Sequence, residues 1–208
     1  MQLDAQQAQR FERLFGQLMV FAADQLGIDE RYIDRSSLSL SPEVREDVFD
    51  KMLQGSKIID SFVAENPFQL AKADLGMVQD WIYGIVGEFT VIKHGEQGSI
   101  LVSSNQAFQV LGVRQSLDEV LRETPIQIYT LLLPFDGCIV EARQVTAEDA
   151  YYDLETVADD AAEYPLAKTD DELIEASLRL GQLWDEQMEE SISGFFDYLL
   201  GLGDNGGF

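Results

Sequence analysis

Two side chains in this 208-residue chain could serve as a nucleophile and its base: the only cysteine, Cys138, and the only histidine, His94. A thiol attacks as its thiolate, which at neutral pH needs a nearby base or a positive environment. Both residues fall at the ends of predicted strands, so a Cys138–His94 dyad is one reading. In the other, His94 is a solvated turn residue and Cys138 a small side chain buried in a sheet. The local sequence favours the second, since neither a base nor a helix N-terminus adjoins the cysteine.

Carboxylates offer a different chemistry. Asp159-Asp160 and Asp170-Asp171-Glu172 place acids close together, and hard cations take oxygen ligands. Neither run has the Asp-x-Asp-x-Asp-Gly spacing of a calcium loop, and acids at a helix start are accounted for by the helix dipole. No carboxylate pair stands apart as a glycosidase pair from the background of 38 acids. The glycines form neither a dinucleotide fingerprint nor a P-loop, and a Gly-x-Ser-x-Gly elbow is absent. The sequence therefore assigns no catalytic residue, no cofactor and no metal ligand.

The net charge of −24 is unevenly spread. Residues 1–83 hold 14 acids and 8 bases, residues 84–146 hold 7 and 4, and residues 147–208 hold 17 against Lys168 and Arg179. Such a chain has no cationic footprint for nucleic-acid phosphates, and anionic membrane surfaces repel it equally. A single cysteine permits no internal disulfide. The N-terminus has no basic, apolar or cleavage region of a signal peptide, and no apolar run is long enough to span a bilayer. These features lead to the expectation of a cytoplasmic protein.

Around these residues the elements can be read from period and punctuation. Asp4-Ala-Gln-Gln7 is a capping box for a helix burying Phe11, Leu14, Phe15, Leu18, Ala22 and Leu26, closed by Gly27. Residues 28–40 read as a loop anchored by Tyr32 and Leu38. Ser41-Pro42-Glu43 starts a second helix with Val44, Val48, Phe49 and Met52 inward. Gly55-Ser56 ends or bends it, and Ile58, Ile59, Phe62 and Val63 continue the apolar face. Asn66-Pro67 breaks the chain before a helix that buries Leu70, Met77, Val78, Trp81 and Ile82.

From Gly84 the period becomes that of strands. Glu88–Lys93 and Ser99–Ser103 flank the turn His94–Gly98, Ala107–Gly112 is a third strand, and Ser116-Leu-Asp-Glu119 caps a short helix. Ile126–Val145 is a hairpin about Pro134-Phe135-Asp136-Gly137, with Gly137 supplying the positive φ. Its first strand, apolar throughout, should be covered on both faces. Its second alternates, with Cys138, Val140 and Ala142 inward and Glu141 and Arg143 toward water. Thr146-Ala-Glu-Asp149 then caps an acidic helix carrying Tyr151, Leu154, Ala158 and Ala161. Thr169-Asp-Asp-Glu172 opens a last helix with the stripe Leu173, Leu180, Trp184, Met188, Ile192, Phe195 and Leu199. Gly194 interrupts that stripe, and residues 204–208 form a loose tail.

The expected fold is α+β: one domain (1–208) with an antiparallel meander sheet of about five strands, covered by N-terminal and C-terminal helices. Residues 1–83 are helical, 84–146 form the sheet, and 147–203 form acidic helices.

Trp81, Gly87-x-Phe89 and the stretch Thr130-Leu-Leu-Leu-Pro-Phe-x-Gly137 resemble a group of uncharacterised bacterial proteins with a Trp…Gly-x-Phe segment before a Leu-Pro-Phe-x-Gly hairpin. The resemblance covers about residues 78–142 and implies no activity. Some of that group carry a cysteine-rich zinc motif, which this chain lacks.

The leading functional expectation is a non-catalytic protein-interaction or regulatory module with a basic or amphipathic protein partner. An alternative is a small-molecule binder or enzyme with a pocket between sheet and helices. A third reading is an acidic mimic of nucleic-acid phosphates. The aromatics Trp184, Phe195 and Phe196 are either core or a face for homo-oligomer or partner docking.

Overall fold

The structure, a computed structural model, describes residues 1–53, 57–142, 146–147 and 154–181. The expected bend at Gly55-Ser56, the Arg143 face, Tyr151, the stripe from Trp184 to Leu199 and the 204–208 tail lie outside these residues.

Asp4 caps helix α1 (Ala5–Gln25) through its carboxylate, which accepts from the Gln6 and Gln7 amides, and Gln7 completes the capping box. The predicted stripe faces inward, with Phe11, Leu14, Leu18 and Ala22 buried and Phe15 and Leu26 half-buried. The region expected as loop contains a two-residue ribbon, β1 (Ile33–Asp34) against β2 (Ser39–Leu40). Leu40, rather than Tyr32, is its buried anchor. Helices α2 (Pro42–Leu53), α3 (Lys57–Glu65) and α4 (Lys72–Asp80) follow, and Val48, Phe49, Met52, Ile59, Phe62 and Val78 join α1 in one core.

The main sheet departs from the expected meander. Strands β3 (Ile85–Gly95), β4 (Gly98–Ser103) and β5 (Gln106–Leu111) run antiparallel in sequence order, and β6 (Ile126–Phe135) with β7 (Cys138–Glu141) forms the expected hairpin. The hairpin does not simply follow β5. Strand β6 pairs antiparallel with β3 from Ile85↔Leu132 to Val91↔Ile126, and β7 pairs parallel with β5 at Val110↔Ile139. The five strands thus close into a mixed barrel in the order β3-β4-β5-β7-β6. Placing β6 beside β3 is a Greek-key return, the device that OB-type barrels share, and closure removes the edges a meander would leave. Period and turn chemistry locate each hairpin but hold no record of which hairpin meets which.

The short helix α5 (Leu117–Val120), with the expected Ser116–Glu119 box, occupies the crossover from β5 to β6. Its Leu117 and the following Leu121 enter the barrel core with Phe89, Val91, Leu101, Phe108, Ile128 and Ile139. Thr146 does not open a helix: Thr146–Ala147 is a strand, β8, paired with β6 at Tyr129 and Ile128. Helix α6 is described over Leu154–Asp160, and β9 (Leu166–Ala167) adds in parallel to β5. The final described helix, α7 (170–181), sends Leu173 and Ala176 into the barrel core.

Strand β6 is covered on both faces as expected. Ile128 and Leu132 point into the barrel, while Leu131, Leu133 and Phe135 point out into the α1–α4 core. Each such side chain contributes about 1.5–3 kcal/mol by leaving water. The expected water-facing side of β7 is also covered, because closure turns Ile139 into the barrel interior, and Val140 packs with the helices. Among the described residues no helix is long and apolar enough to cross a membrane.

Candidate functional site

The turn between β6 and β7 puts Asp136 at φ 51° and Gly137 at φ 83°, the left-handed pair of a two-residue hairpin. Asp136 reaches α1, accepting from Gln7 Nε2 and Arg10 Nη1, each at 3.4 Å. The Gly137 amide donates to Asp170 Oδ2 at 2.9 Å, which ties the turn to the start of α7. That start is the predicted box: Glu172 accepts from the Lys168 and Thr169 amides, which hold its carboxyl below the usual range.

Asp80, Asp136 and Asp170 line one cleft of about 350 Å³ with Met77, Pro134 and Gly137. Partial desolvation, then the charges of Asp170 and Asp171, push the Asp80 carboxyl up. Beside the cleft, Arg10 and Arg13 converge on Asp74 at 2.7 and 2.8 Å. Desolvation raises the Asp74 carboxyl, but the bonds from Arg13 and Arg10 outweigh it and the net shift is downward. Spacing alone could have flagged the arginine pair, since Arg10 and Arg13 stand three apart on one helix face. Their partner on α4 had no such signal.

The two residues with nucleophile-and-base chemistry are far apart. His94 lies at the β3–β4 turn, where Nδ1 is 2.8 Å from Ser99 Oγ and Nε2 is 2.9 Å from the Leu121 carbonyl oxygen. A carbonyl only accepts, so Nε2 carries a proton. When the ring is neutral, the Ser99 hydroxyl donates to Nδ1. His94 is therefore a tie between the β3–β4 hairpin and the end of α5, in place of the solvated turn residue expected. Ser99 is 1% exposed, which leaves no room for a substrate at its oxygen.

Cys138 sits beyond the other end of the β3–β6 ladder. Nine positions of β6 separate Ile126, opposite Val91, from Phe135, opposite Cys138. Its Sγ donates to the Phe135 carbonyl, and burial first, then Asp136 and Asp170, push the thiol up to about 12. No dyad is assembled. Among the described residues no group of three or more His, Cys, Asp or Glu side chains is arranged to hold a metal ion.

Val102 of β4 and Ala107 of β5 pack under Ala161, Val157 and Tyr164. Fold alone carries no function.

No known family's model matches this chain, and neither a curated protein nor a solved structure matches it.

Proposed function

We propose that this protein is a non-catalytic interaction module that takes a basic, amphipathic segment of a partner protein. The observation that carries this reading is the cleft between α4, the β6–β7 turn and α7, where Asp80, Asp136 and Asp170 gather around apolar Met77 and Pro134. Asp170 raises the Asp80 carboxyl while Asp136 pairs with Arg10, and an arriving lysine or arginine removes the Asp80–Asp170 repulsion. The net charge of −24 supports the same partner chemistry, because it steers cations toward the protein and repels polyanions.

A synthetic amphipathic peptide rich in lysine and arginine tests the reading by fluorescence anisotropy. Affinity should fall at least about tenfold between low salt and about 0.5 M salt. The triple variant Asp80→Asn, Asp136→Asn, Asp170→Asn should lose most of the low-salt affinity. Binding that ignores both salt and the triple variant sinks the proposal.

A further inference from the structure

A separate cavity, of about 310 Å³, lies between the outer face of β3–β5 and the cover formed by α6 and the chain that follows it. It shares no lining residue with the acidic cleft. Its size falls at the lower end of the roughly 300–1,000 Å³ usual for small-molecule sites. Ile92, Ile100 and Ala107 form its floor, and Ala158, Ala161 and Ala162 face them with methyl groups alone.

The cover is held beside the hollow rather than by filling it. The Pro165 carbonyl oxygen accepts from the Ala107 amide at 3.0 Å and from Gln106 Nε2, and Leu166 and Ala167 pair with Ala107 and Phe108. Gln106 Oε1 in turn accepts from Arg179 of α7. These bonds fix the roof above small side chains, so the cavity does not depend on an occupant for its shape.

The lining has the opposite charge to the protein as a whole. Lys93 is its one charged side chain among the described residues, and the exposed acids Asp159, Asp160 and Glu163 nearby do not line it. A β-bulge puts Lys93 there. The β3–β4 register shifts between Val91 and Lys93. Val91 therefore meets Leu101 in the barrel core, while Lys93 falls opposite Ile100 on the outer face, beside Ile92. Strict alternation from Val91 would have turned Lys93 inward. Tyr164 also lines the cavity, and among the described residues neither its hydroxyl nor the Lys93 ammonium has a hydrogen-bond or ion-pair partner.

We propose that this cavity binds a small monocarboxylate with an aromatic or branched apolar body. The Lys93 ammonium complements the carboxylate, Tyr164 supplies an O–H donor, and the isoleucine and alanine walls take the body. A neutral amide of equal shape loses the ion pair, and an amine meets like charge.

The test uses the full chain carrying ¹³C-methyl isoleucine and the probe phenylacetate at pH 7 and about 0.15 M salt, where long-range repulsion from the net charge is screened. Ile92 and Ile100 line this cavity and no isoleucine lines the acidic cleft, so their methyl signals report this site. Ile59 and Ile128, buried in the two main cores, serve as references. The expected result is a saturable shift of Ile92 and Ile100 with the references unmoved. In a second arm, phenylacetate should bind at least about threefold tighter than phenylacetamide, as an exposed ion pair allows. Lys93→Gln should abolish that preference and leave the amide affinity unchanged. Stationary Ile92 and Ile100 signals, equal affinity for acid and amide, or a preference that survives Lys93→Gln overturns the proposal. The comparison of acid with amide uses the unaltered protein, so it decides the matter even if the variant folds poorly.

Discussion

The indole of Trp81 donates from Nε1 to the carbonyl oxygen of Pro134 at 3.0 Å, in a buried contact joining the end of α4 to the last turn of the β6–β7 hairpin. The same ring packs against Phe11 and Phe15 of α1. Trp81→Phe keeps most of the packing and removes the donor. It should cost about 1–3 kcal/mol, read from urea denaturation, because the Pro134 oxygen loses its buried partner. An unchanged midpoint would show that the contact is dispensable.

Gly137 is the next point of sensitivity. Its φ of 83° is strained for any residue with a Cβ, while the space around that Cβ is open. Gly137→Ala should therefore destabilise by about 1–2 kcal/mol through backbone strain alone. Gly76→Ala, which also meets open space but sits in helix α4, should be neutral or stabilising.

Two aspartates should respond to pH with opposite signs. Asp74 has its folded pKa below the ordinary 3.8, so its stabilisation is present above 3.8 and is lost as pH falls through the depressed value. Asp74→Asn should cost about 1 kcal/mol at neutral pH after solvent screening, and the gap to the parent should close in strong acid. Asp80 has its folded pKa above 3.8, so its ionisation penalises the folded state increasingly as pH rises through the raised value. Asp80→Asn should raise the denaturation midpoint at neutral pH, with the advantage gone below about 3.8. Parallel pH profiles for the two variants would refute this assignment.

Cys138 should be chemically quiet. With the thiol pushed up to about 12, the native protein at pH 8 should react with iodoacetamide about a thousandfold more slowly than the unfolded chain. Rapid native labelling would contradict the burial described. Ser99→Ala should cost about 1 kcal/mol by removing the partner of His94 Nδ1.

Local structure was legible where the signal is local. The boxes at Asp4, Ser116 and Thr169 each satisfy helix-end amides within three residues, and the Asp136-Gly137 turn depends on two adjacent backbone angles. Barrel closure was not legible, because the β3–β6 and β5–β7 contacts join segments tens of residues apart whose apolar patterns fit either neighbour. Thr146 misled for a related reason: a threonine followed by acids suits a helix cap, yet its backbone completes an edge of β6. Of the candidate site residues, Asp170 was marked by its neighbours in sequence, whereas Asp80 joins the cleft only through tertiary packing.

Strand β6 gives alternate side chains to two separate interiors, so it behaves as a party wall. A fragment spanning the barrel alone would expose Leu131, Leu133 and Phe135 to solvent, and one spanning the helices alone would lose the surface on which they assemble. Neither part should therefore hold its fold when cut from the other, and heat should melt both in a single calorimetric transition.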